Sequence, residues 1–190
     1  MNLGHTPSQT VGPYFRIGLT WRHPSPQIAK PEARGERVWL TCRVVDGDGA
    51  PINDSMLEIW QADGDGKYNH PDDPQGKTAD PACRGFGRQG TDENGVCQFE
   101  TIKPGRVPGP GGVEQAPHLN LGVYARGMLK ALFTRIYFAG DPANQQDPVL
   151  ALVTTDRRDT LMAKPDSSRP GHWSFDVRLQ GEGETVFFDV

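Results

Sequence analysis

His118 and Asn120 stand two apart in the run Pro117-His118-Leu119-Asn120, and side chains two apart on a strand point to one face. A histidine at both positions would offer a pair of imidazole ligands with geometry fixed by the strand. Here the second is an amide, whose neutral oxygen is a poor ligand for a hard trivalent cation. The stretch before it, TIKPGRVPGPGGVEQA, leaves a strand, crosses a Pro/Gly-rich loop and re-enters a strand. The segment therefore looks like a metal site with half its ligands missing.

Other residues spell chemistry less specifically. His70-Pro71-Asp72, taken with His118 or His172, has the letters of a two-histidine, one-carboxylate iron(II) site. Pro71 puts that motif in a loop, and H-x-D arises readily by chance among many acids. Asp46-Gly47-Asp48-Gly49 and Asp63-Gly64-Asp65-Gly66 suggest calcium loops, but both lack the third ligand position and the closing glutamate of an EF-hand. Turns explain them better.

The elements that must hold these residues read as strands. Residues 37–45 (RVWLTCRVV) alternate apolar and polar side chains and end at a glycine-bearing turn. Residues 55–62, 87–91, 96–101, 118–125, 131–138, 173–180 and 185–189 read likewise, with Asn94-Gly95 a strong hairpin signal between the third and fourth. The only helix expected is a short one near 148–155, with Asp147 before it as a cap. Strands at this spacing predict an all-β fold, a two-sheet antiparallel β-sandwich over 36–190. Residues 1–35 differ: Pro7, Pro13, Pro24, Pro26 and Pro31 interrupt any regular element. They predict an extended N-terminal arm that lies on the surface of its own sandwich or docks on a partner chain, the latter through Tyr14-Phe15-Arg16-Ile17 and Trp21.

Composition narrows the function classes. The chain has 190 residues and a net charge of −4 with acids and bases interspersed, enough for one domain and a poor match to nucleic acid or an anionic membrane. No apolar run is long enough for a membrane span, and MNLGHTPSQT has no signal-peptide core. Cys42, Cys83 and Cys97 show no CxxC spacing and fit reduced thiols in a cytoplasmic protein. Gly and Pro together make roughly a fifth of the chain, which means many turns.

Taken in order, TPSQTVGPYF (6–15), LEIWQAD (57–63), GKYNH (66–70), TIKPG (101–105), APHLN (116–120), TRIYF (134–138), DPVL (147–150) and QGEGETVFFD (180–189) resemble the intradiol ring-cleaving dioxygenases across nearly the whole chain. The resemblance implies an antiparallel β-sandwich. It also implies Fe(III) held by two tyrosines and two histidines, binding a catechol as a dianion and priming its ring for attack by O2. Those four positions fall on Tyr68, Val107, His118 and Asn120. A family arginine that steadies charge on the substrate falls on Gln115. Val107 has no donor atom and Asn120 replaces a histidine, so this chain is expected to hold no catalytic iron. Tyr68 then becomes a phenol in want of a hydrogen-bond partner, and His118 a satisfied strand histidine, bonded to Tyr68.

Some family members pair two related chains, alpha and beta. Resemblance to these implies that Fe(III) sits in a homologous beta subunit while this chain helps to wall the pocket for a small catechol acid. The substrate-binding residues would be Thr10, Gly12, Pro13 and Tyr14 in QTVGPYF, and Arg135 in TRIYF. Glycine lets backbone approach a flat ring, proline stiffens the contact, and arginine suits a carboxylate. Gly12-Pro13 can equally be a plain turn, and Arg135 a solvated or ion-paired strand residue. A competing class is a non-catalytic β-sandwich binding module that kept the fold and lost the chemistry.

Overall fold

The computed structural model of the chain describes residues 9–21 and 25–189; Pro7 and Pro24 lie outside them. Ten strands occur among these residues: β1 Arg37–Val45, β2 Met56–Trp60, β3 Phe86–Gly90, β4 Val96–Ile102, β5 Val107–Pro108, β6 Glu114–Gln115, β7 His118–Tyr124, β8 Leu132–Phe138, β9 Met162–Pro165 and β10 His172–Arg178. Alternation carries β1: Val38, Leu40, Cys42 and Val44 are wholly buried while Trp39 and Arg43 face outward. Its exit turn is held by Asp46 Oδ1, which accepts from the backbone N–H groups of Asp48 and Ala50. Gly49 there has φ +84°, where a side chain would be strained. Asp63 Oδ1 accepts from Asp65 and Lys67 in the same way, so both Asp-Gly-Asp-Gly runs are turns.

The expected two-sheet antiparallel sandwich is not what forms. Eight strands make one mixed sheet in the order β3-β2-β7-β8-β9-β10-β1-β4, and β5 and β6 make a separate two-stranded ribbon. Two of the pairings are parallel: β8 with β9, and β1 with β10 in the register Trp39 to His172. The reason is the connection after β8. Instead of a tight hairpin, 139–161 wind through three short 3₁₀ turns, Pro142–Gln146, Leu150–Leu152 and Thr155–Leu161, and bring β9 back in the direction of β8. Those turns replace the single helix expected near 148–155. Residues 185–189, expected as a strand, make one isolated bridge, Phe188 to Phe133.

The sheet curls until its edges nearly meet. Between edge strands β3 and β4 runs the segment 25–29, in which Ser25 exchanges both backbone hydrogen bonds with Arg88 and Glu100 bonds to Pro26 and Ile28. Ile28 and Ala29 are buried there, so this end of the proline-rich N-terminal stretch belongs to the domain's own core. The enclosed core includes Leu57 and Ile59 of β2, Leu119 and Leu121 of β7, Phe99 of β4 and Phe175 of β10. Within the arm, Pro13–Arg16 and Ile17–Trp21 are two short helical turns. Phe15 of that arm lies 5.4 Å from the ring of Tyr124.

Candidate functional site

The four positions that carry the metal resemblance gather at the start of β7. Asn120 stands across the sheet from Trp60 on one side and Arg135 on the other. Its amide Nδ2 donates to the Trp60 carbonyl at 3.2 Å and to the Tyr68 hydroxyl at 3.3 Å. The Tyr68 ring stacks on Trp60 at 6.0 Å and 10°. Burial pushes the Tyr68 phenol above its ordinary pKa, so it stays protonated and neutral. Tyr68 thus does find a hydrogen-bond partner, but that partner is Asn120 and not the His118 expected from sequence.

His118 is buried, with Nδ1 2.7 Å from the Ala116 carbonyl oxygen and its ring 5.8 Å from that of Tyr137. Burial, and the charge of Arg135, push its pKa down to about 4. It is therefore neutral, with Nδ1–H donating to Ala116. Val107 is buried in the β5–β6 ribbon opposite Gln115. These residues do not fit an iron ion. One of the four positions is apolar, and the Asn120 amide presents its donor, not its acceptor, to Tyr68.

Around them runs one polar network. Arg135 Nη1 donates to Gln115 Oε1 at 2.6 Å and to the Tyr137 hydroxyl at 3.4 Å. Tyr137 in turn donates to Asp147 Oδ1 at 3.0 Å. Asp147, almost wholly buried, also accepts from the backbone N–H groups of Ala116, Val149 and Leu150. Sequence reading gave Asp147 only a capping role. Its larger part, tying the 3₁₀ crossover to the strand entry at Ala116, has a weak signal in the Asp-Pro dipeptide and none in periodicity.

Two cavities flank this group and share Trp60 as a wall. One, of about 460 Å³, is lined by Tyr68, His70, Asp73, Pro74 and Val107 among others. The second, of about 380 Å³, is lined by Glu58, Phe86, Asn120, Phe133, Arg135 and Phe188 among others. Its aromatic walls and single arginine suit a flat anionic molecule. Phe86, Phe133 and Phe188 were not singled out by sequence, since an aromatic on a strand reads as core. Thr10, Gly12 and Tyr14 are not brought to Arg135. They lie at the other end of β7, where Gly12 and Phe15 border a small recess with Asp54, Tyr124 and Arg126. Thr10 and Gly12 are exposed, and Tyr14 is 83% exposed. Pro13 opens the helical turn there. His70 and Asp72 are at the surface, His172 stacks on Trp39, and no cluster of three metal-ligating side chains occurs among the described residues.

Comparison with known proteins shows the family. A family model described as "Dioxygenase" matches residues 11–181. The chain is 46% identical to the protocatechuate 3,4-dioxygenase alpha chain of Burkholderia cepacia, over 99% of this chain and 98% of that one. It is 34% identical to the beta chain of the same name and organism, over 81% of this chain and 68% of that one. Among solved structures, the dioxygenase domain of a carbohydrate-binding fusion from Streptomyces sp. SirexAA-E matches with a TM-score of 0.64 at 26% identity. That match covers 94% of this chain and 99% of the other.

Proposed function

The chain belongs to the intradiol dioxygenase family, and from that premise we propose that it is the iron-free alpha subunit of a protocatechuate 3,4-dioxygenase. In this reading a homologous beta subunit holds the Fe(III). The complex opens the ring of protocatechuate (3,4-dihydroxybenzoate) with O2 to 3-carboxy-cis,cis-muconate, and this chain walls the substrate pocket. Likeness to both an alpha and a beta chain supports a pairing of two related subunits. The observation that carries the division of labour is the state of the four ligand positions. Val107 is apolar, and Asn120, where a second histidine would stand, turns its Nδ2 donor to the Tyr68 hydroxyl and the Trp60 carbonyl.

Arg135 is the residue of this chain best suited to the substrate carboxylate, with Thr10, Gly12, Pro13 and Tyr14 offered by the arm at a separate edge. No helix among the described residues is long and apolar enough to cross a membrane. Three buried free thiols support a reducing, cytoplasmic setting.

Co-expression with the beta chain tests this directly. The complex should carry one iron per pair of chains and the colour of a tyrosinate-to-iron transition. Tyr68→Phe in this chain should leave both unchanged. Loss of iron or bleaching on that substitution would place the metal here and sink the proposal.

A further inference from the structure

The position where the resemblance places an arginine is Gln115, and the structure shows what the amide does there. The Gln115 side chain is buried and bonded at both ends. Its Nε2 donates to the Pro108 carbonyl at 3.1 Å, and its Oε1 accepts from Arg135 Nη1 at 2.6 Å. The Pro108 carbonyl can only accept and a guanidinium can only donate, so the amide has a single satisfied orientation. The β5–β6 ribbon sets that amide in place, and a Cβ at Gly109 would come within 2.9 Å of Gln115 Cγ.

On its other side Arg135 Nη1 meets the Tyr137 hydroxyl, itself anchored on Asp147. Both bonds use Nη1. Among the described residues Arg135 forms no ion pair, and its Nε and Nη2 have no protein partner. The guanidinium is therefore clamped at one nitrogen, and Arg135 lines the aromatic cavity of about 380 Å³. A flexible arginine loses rotamer freedom on binding an anion, and a clamp removes that cost beforehand.

We propose that Gln115 is a positioning residue: it aims Arg135 so that the free edge of the guanidinium receives the carboxylate of the aromatic substrate. This rests on the reading of Arg135 as a substrate contact, so the test is a two-residue cycle in the alpha–beta complex. Gln115→Met keeps the length and loses both polar ends. It should raise KM for protocatechuate about tenfold, as expected when one charge-assisted hydrogen bond is lost. kcat, iron content and assembly size should hold, and KM for catechol, which has no carboxylate, should change little. Arg135→Ala should show the same selectivity, and adding Gln115→Met to it should cost nothing more. If Arg135→Ala is selective but Gln115→Met has no effect, or adds fully to it, the positioning role is overturned and the contact stands. If Arg135→Ala affects both substrates alike or neither, the contact and the positioning role fail together.

Discussion

At the scale of single residues, the candidate site is held by hydrogen bonding and ring stacking. Tyr68 remains stacked on Trp60, and Asn120 occupies its hydroxyl. Removing that hydroxyl in Tyr68→Phe should cost about 1 kcal/mol, one ordinary hydrogen bond, in urea unfolding of the complex. A loss several times larger would mean that the hydroxyl holds something other than Asn120.

His118 gives a pH signature. Its folded pKa of about 4 lies below the model-peptide value of 6.5, so between those values the unfolded chain binds a proton that the folded chain refuses. Its contribution to stability is complete above pH 6.5 and drains away as pH falls toward 4, by about 3 kcal/mol in all. Unfolding of the complex at pH 7 and pH 4.5 should therefore differ less in His118→Gln than in the parent. Equal differences would show that His118 is not held neutral. The sequence made the absence of ligands at 107 and 120 legible, because it requires only the identity of the residue. It could not show that Asn120 satisfies Tyr68, because that bond spans 52 residues and depends on the pairing of β2 with β7.

At the scale of elements, strands built on alternation were legible almost to the residue, as in β1, where every second side chain is buried. β9 was not. Met162–Pro165 has a lysine, a proline and no clean alternation, because its role is to join two halves of a sheet rather than to line the core. The parallel pairings were missed with it, since periodicity gives a strand's faces and says nothing of its direction. Two substitutions probe the joints.

Gly87 lies under the segment that fills the gap between the sheet edges, and a Cβ there would meet Ile28 Cγ1 at 2.5 Å. Gly87→Val should destabilise by about 1–3 kcal/mol through overpacking, with faster hydrogen exchange at Ser25 and Ile28. Unchanged exchange at those amides would mean that the segment is not packed as described. Asp147→Ala strips the acceptor from three backbone N–H groups and the Tyr137 hydroxyl together. It should cost about 3 kcal/mol or more in thermal or urea unfolding. A cost below 1 kcal/mol would show the crossover to be held by other contacts.

At the scale of the whole molecule, the surface offers apolar groups that this chain does not cover. Tyr14 is 83% exposed, Leu129 83% and Leu152 82%. Expressed without its proposed partner, the chain should self-associate or precipitate, and co-expression should restore solubility. A stable monomer in sedimentation at micromolar concentration would count against an obligate subunit.

The strand order also has a consequence for how the protein is made. Within the sheet, β8 of the β3-β2-β7-β8 half is joined to β1 of the β1-β4 half through β9 and β10, the last two strands, while segment 25–29 bridges the outer edges β3 and β4. During synthesis the facing edges of β8 and β1 must stay open until residue 178 has left the ribosome tunnel. Pairings so distant in sequence are slow to close, and unpaired edges invite aggregation. A nascent chain stalled before Met162 should therefore be degraded readily by protease along β1 and β8, and one stalled well past Arg178 should resist. Early resistance would mean that segment 25–29 and side-chain packing hold the halves together before β9 and β10 join them.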